Sequence, residues 1–140
     1  YVTEDFLPNV QVKANQKSRN THTIIKLNRT KNFLTGIYPY SIMTSVFSKL
    51  GKTKSLLKTT TSIQEWCGQA YLQLNRRGSL EVNSHSYFEG EADQNLRFTD
   101  ALTEEEIWTW IRTYPDLLPE GNFKILPSNG ERKSLSIISF

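Results

Sequence analysis

Six side chains on one alternating stretch of this 140-residue chain have the types that bind ligands or move protons: Glu65, Cys67, Gln69, His85, Tyr87 and Glu89. Glu65, Cys67 and Gln69 take odd positions in a run from Gln64 to Asn75 whose even positions include the apolar Trp66, Ala70, Leu72 and Leu74. That period of two predicts a half-buried strand. Past a turn at Arg76 to Ser79, the apolar or small face continues through Leu80, Val82, Ser84, Ser86 and Phe88, with His85, Tyr87 and Glu89 on the other face. Pairing Leu74 with Leu80 predicts Glu65 opposite Glu89, Cys67 opposite Tyr87 and Gln69 opposite His85, a parity that a one-residue slip destroys. Carboxylates facing each other across a ladder repel by ~0.2 to 1 kcal/mol, which a cation, a shared proton or full solvation relieves. With His85 beside them, Glu65 and Glu89 are the candidate ligands of a divalent metal. Carboxylates with an imidazole suit Mn or Zn, an all-oxygen subset suits Ca, and Glu91 and Asp93 extend the acidic alternation. The competing reading is a solvated acidic face paired with Lys and Arg from the first half of the chain.

Other chemistries lack their parts. There is no P-loop, no GxGxxG turn, no HExxH and no GxSxG elbow. With only His22 and His85 in the chain, Cys67 with His85 is the conceivable thiol and base, although a lone strand cysteine is usually inert. One cysteine makes an internal disulfide or a CxxC metal site impossible. Asn28-Arg29-Thr30 fits the N-glycosylation pattern, a short match that matters only in a eukaryotic secreted chain. No catalytic residues and no cofactor beyond a possible divalent metal are expected.

Charge divides the chain more sharply than the net +3 suggests. Residues 1 to 60 hold ten Lys and Arg against two acids, and residues 61 to 140 hold seven against twelve. The halves neutralise each other if packed together, or else Lys49, Lys52, Lys54 and Lys58 line a hairpin end that faces phosphates. No nucleic-acid module and no stacking aromatics interleave with those lysines, so no nucleic-acid partner is expected. No run approaches the ~18 apolar residues of a membrane span, so no transmembrane segment is expected. Aromatics at 11% supply enough buried surface to exclude wholesale disorder.

The elements follow from pattern. Residues 8 to 22 hold Pro8 and a polar run and predict a mobile loop. Thr23 to Asn28, Ile37 to Lys49 and Ser55 to Ser62 are β-branched or aromatic and predict strands, with Leu50 to Thr53 as a turn. Pro39 places its part of the strand at a sheet edge or a bulge. Asn95 to Thr99 predicts another strand. At Thr103 a capping box with Glu106 starts a helix that runs to Tyr114, stopped by Pro115, with Ile107, Trp110, Ile111 and Tyr114 on its apolar face. Asn122 to Leu126 and Lys133 to Phe140 predict two short strands about a turn at Ser128 to Gly130. One domain over residues 1 to 140 is the expectation: mainly β (α+β), a curved antiparallel β-meander or half-barrel with one covering helix near residues 103 to 114.

The stretches QEWCG from Gln64 and HSYFEGEADQ from His85, with LNRTKNFLTGIYPYSIMTSVF from Leu27, resemble a family of uncharacterised, exported bacterial lipoproteins. Automated labels often call its members "septum formation inhibitor Maf", and the resemblance spans residues 1 to about 120. True Maf proteins are α/β nucleotide pyrophosphatases with a Gly-rich start and a Ser-x-Ser-x-x-Arg motif, none of which stands in this chain, so that label does not fit it. The resemblance carries no site residues. It implies the central or C-terminal part of a longer exported protein, periplasmic or associated with the outer membrane, and the start at Tyr1 reads as a mature or trimmed fragment. The function expected is a non-catalytic module that binds an apolar or amphiphilic, lipid-like ligand or an envelope protein on its sheet. The alternative is a hydrolase or metal-dependent enzyme using the acidic cluster of Glu65, His85 and Glu89.

Overall fold

A computed structural model describes residues 1–50, 55–128 and 136–139. Alternating β-branched and polar residues draw most of the chain into eight strands: β1 (Val2–Leu7), β2 (Val12–Lys13), β3 (His22–Thr35), β4 (Tyr38–Lys49), β5 (Leu56–Glu65), β6 (Gly68–Arg76), β7 (Leu80–Ser86) and β8 (Gln94–Phe98). They form one antiparallel sheet in the order β2-β1-β3-β4-β5-β6-β7-β8, curled into a half-barrel. A second sheet joins β9 (Leu102–Thr103), β10 (Asn122–Leu126) and β11 (Ser136–Ser139), with β10 at its centre, parallel to β9 and antiparallel to β11. Helix α1 (Glu104–Thr113) lies between β9 and β10 in the chain and ends where Pro115 begins a short 3-10 turn.

The inner face buries Leu27, Val46, Leu56, Leu74, Leu80 and Val82, and Leu126 of β10 closes over them. A smaller core on the outer face joins Phe6, Ile24 and Leu57 with Phe47, the Phe6 and Phe47 rings stacked at 5.5 Å. A break in the β4–β5 register between Phe47 and Ser48 serves both cores. Ser48 pairs with Leu56 while Phe47 pairs with Lys58, so Leu57 is the extra residue. Leu56 thereby keeps its place on the inner face and Leu57 joins the outer core, as an inserted residue in a ladder allows.

Several expectations change in detail. The predicted strand from Gln64 is interrupted at Trp66 and Cys67, which form the β5–β6 turn, so Glu65 ends β5 and Trp66 is 66% exposed instead of facing inward. Segment 8 to 22 contains β2 and buries Gln11 and Ala14. The Gln11 side chain donates to the Arg76 carbonyl (2.8 Å) and accepts from the Asn75 amide, which pins this segment to the outer face. Pro39 pairs with Leu34 of β3, beyond Ser41, where the β4–β5 ladder stops. A residue without an N–H is tolerated there because β4 has a neighbour on one side only. Lys52 and Lys54 and most of the Ser128 to Gly130 turn lie outside the described residues.

The helix starts at its predicted cap. Thr103 is the N-cap, and Glu106 reaches back to accept its backbone N–H at 3.2 Å. The buried helix face is more polar than the periodicity predicts: Glu105, Glu106, Thr109 and Trp110 are buried, whereas Ile111 is 48% exposed. The sheet beneath explains this, because it offers polar partners. Arg76 forms two 2.8 Å bonds to the two Glu106 oxygens, Leu56 N–H donates to the same carboxylate (3.1 Å), Arg29 pairs with Glu105, and Trp110 Nε1 donates to Ser55 Oγ (3.2 Å).

Candidate functional site

The β6–β7 hairpin closes with Arg76 opposite Leu80 and Leu74 opposite Val82, two residues away from the predicted pairing of Leu74 with Leu80. A tighter connection produces the shift. Only Arg77, Gly78 and Ser79 form it, with Arg77 N–H bonded to the Ser79 carbonyl (3.0 Å) and Gly78 at φ 81°, a left-handed conformation that glycine adopts without strain. A slip of two preserves parity, so Leu72, Leu74, Leu80 and Val82 still face the core.

The predicted cross-strand partners change with that register. Glu65 lies opposite Gly68 of β6, Tyr71 opposite His85, and Tyr87 N–H bonds to the Gln69 carbonyl (3.1 Å). Glu89 stands exposed in the β7–β8 loop. The structure therefore does not bring Glu65, His85 and Glu89 together, and among the described residues no three of His, Cys, Asp and Glu are grouped to hold a metal ion. His85 instead places Nδ1 3.0 Å from the Asp93 carboxylate, with both side chains open to solvent. Gln69, His85 and Tyr87 do share one place, an open hollow of about 410 Å³ on the outer face with Tyr71 and Asp93. Glu65 borders a different hollow, beside Phe33, Tyr40 and Trp66.

Cys67 sits exposed on the β5–β6 turn. Desolvation by its surroundings, and then the charge and hydrogen bonding of Glu65, push its thiol above the ordinary value. An activated nucleophile needs the opposite shift, since the thiolate is the reactive form. Alkylation of Cys67 by iodoacetamide at pH 8 is therefore expected to run slower than that of a free cysteine peptide, and Glu65→Gln is expected to speed it. Equal rates for the wild type and the variant would show that Glu65 does not restrain the thiol.

A site the alternation does not reveal lies on the inner face. Beyond the part covered by α1 and β10, a cleft of about 310 Å³ opens between β5, β6, β7 and β8, its lining including Ile63, Ala70, Leu72, Ser84, Ser86 and Leu96. At its inner end it meets the closed core, where the remaining void is only about 30 Å³. Leu72, Val82 and Leu96 border both spaces. The cleft exists because the inward positions shrink along β6 and β7, from Leu74 and Val82 to Ala70, Ser84 and Ser86, so the side chains no longer fill the curve of the sheet. Size was the available signal: serine and alanine at inward positions keep the parity but leave space. At the other end the cleft is bordered by Gly90 and Glu91 of the β7–β8 loop. Its floor is aliphatic, and its rim, which also includes Tyr71 and His85, carries hydroxyl, amide, imidazole and carboxylate groups, a lining that suits a molecule with one apolar and one polar end. Comparisons with protein-family models, with curated proteins and with solved structures give no match for this chain.

Proposed function

We propose that this protein is a non-catalytic binding module that holds an apolar or amphiphilic molecule in the cleft of its half-barrel. The observation that carries this reading is the 310 Å³ opening on the inner face, continuous with the apolar core and edged by polar groups. Its volume falls at the lower end of the ~300 to 1,000 Å³ of small-molecule sites. A hydrolase would need convergent titratable groups, and the separation of Glu65, His85 and Glu89 favours binding over catalysis. The resemblance to exported lipoproteins makes the bacterial envelope the proposed location, with a lipid-like compound as the proposed ligand.

Titration with N-phenyl-1-naphthylamine, whose fluorescence rises in apolar surroundings, tests the cleft. The wild type is expected to show saturable one-to-one enhancement. Ala70→Trp places an indole in the opening and is expected to abolish it while the circular-dichroism spectrum stays that of the wild type. No saturable enhancement in the wild type, or equal enhancement in the folded variant, overturns the reading.

A further inference from the structure

The meander sends three of its connections to one end of the sheet, and each ends in large apolar side chains. The β3–β4 tip carries Leu34 (70% exposed), Ile37 (73%) and Tyr38; the β5–β6 tip carries Trp66; the β7–β8 loop carries Tyr87 (75%) and Phe88. The opposite end is the one closed by the helix, where Glu106 bonds to Leu56 at the start of β5 and to Arg76 at the end of β6. Large apolar side chains thus cluster at this end more heavily than at the other, where Val10 (56%) and Leu50 (52%) are exposed, and none of the described residues covers them. The rings are held in place: Tyr38 and Trp66 meet at 5.6 Å across two tips, and Tyr87 and Phe88 at 5.9 Å in an edge arrangement. The β3–β4 hairpin projects furthest, its ladder continuing past Ser41, where that of β4 with β5 ends. Its two-residue turn, Gly36–Ile37, has Gly36 at φ 64° and places Ile37 at the apex.

We propose that these three tips seat the protein on the surface of a zwitterionic lipid bilayer, with the cleft mouth turned to the membrane. Tyrosine and tryptophan suit that boundary because each ring is apolar in body and polar at one edge, and Leu34 and Ile37 add aliphatic side chains that enter the acyl region. Charge selects the kind of lipid. Segments 34–38, 65–68 and 87–93 contain Glu65, Glu89, Glu91 and Asp93 and no Lys or Arg, so an anionic surface repels them and a net-neutral zwitterionic one does not. The β7–β8 loop contributes both to the tips, through Tyr87 and Phe88, and to the cleft border, through Gly90 and Glu91. This inference rests on the binding reading above and deepens it: the bilayer is the source or the destination of the amphiphile, which crosses between membrane and cleft without passing through water.

Flotation with phosphatidylcholine vesicles separates this inference from the one it rests on. The wild type is expected to float with the vesicles, and the double variant Ile37→Asp, Trp66→Gln is expected to partition about tenfold less or weaker, while still binding the naphthylamine dye. Ala70→Trp is expected to do the reverse, floating normally without dye binding. The proposal is overturned if the wild type stays unbound, if the double variant floats equally well, or if phosphatidylglycerol vesicles bind more strongly than phosphatidylcholine. A wild-type dimer on sedimentation that the double variant does not form also overturns it, since a second copy then occupies the tips.

Discussion

Replacing Glu106 with alanine is expected to lower the free energy of unfolding by about 3 to 5 kcal/mol, a large part of the ~5 to 15 kcal/mol that a domain of this kind possesses. The carboxylate is fully buried and satisfies four groups from three parts of the chain: the Arg76 guanidinium, the Leu56 N–H, the Thr103 N–H and, at 3.4 Å, the Thr103 hydroxyl. Alanine leaves a guanidinium whose side chain is only 9% exposed with a lost counter-charge, although Asp100 Oδ1 still lies 3.0 Å from Arg76 Nε. It also strands two backbone donors in the interior, each a further desolvation cost. Glu106→Gln keeps the shape and one acceptor and is expected to lose less. Urea denaturation of the wild type and both variants checks the order, and a loss below about 1 kcal/mol for alanine would mean that water replaces the carboxylate.

The second large effect is expected at the opposite face, where Phe6→Ala costs about 3 to 5 kcal/mol. Phe6 is 1% exposed, stacks on Phe47 and packs with Ile24 and Leu57. It is the one buried side chain of β1, and with Gln11 it holds the β1–β2 hairpin to the outer face. Val10→Ala is the control: that side chain is 56% exposed, and its change is expected to stay within about 0.5 kcal/mol. Thermal unfolding followed by near-UV circular dichroism compares the two. Similar midpoints for both variants would show that the outer core adds nothing to global stability.

Parity was legible in the sequence because side chains alternate strictly along a strand, so the inward set Leu72, Leu74, Leu80 and Val82 follows from residue type alone. Register was not, because shifts of two residues satisfy the same parity, and only the geometry of the Gly78 turn decides between them. The exposed place of Trp66 is hidden for a related reason: an apolar residue at an even position fits the period whether it lies in the strand or at its turn. The Thr103–Glu106 cap was readable from local chemistry, but the partners of its carboxylate were not, since Arg76 stands 30 residues earlier and Leu56 50 residues earlier. The cleft is not legible in the sequence because a small inward residue looks like any other member of the buried face until the curvature of the sheet is known.

Every pairing from β3 to β8 joins strands that are neighbours in the chain, so the middle of the sheet assembles by closing short loops, each at small entropic cost. The ties that fix the helix close much larger circuits: Glu105 meets Arg29 from 76 residues away, and the Tyr1 hydroxyl donates to the Trp108 carbonyl across 107. Loop-closure entropy accordingly predicts that the meander forms first and that the helix docks onto it later. In a stopped-flow chevron the Glu106→Ala loss is then expected to fall mainly on the unfolding arm, and a matching fall in the folding rate would show that the carboxylate already meets its partners in the transition state. A helix that docks last is also expected to be the first element to leave, and its departure would uncover the inner end of the half-barrel while the strands stay paired.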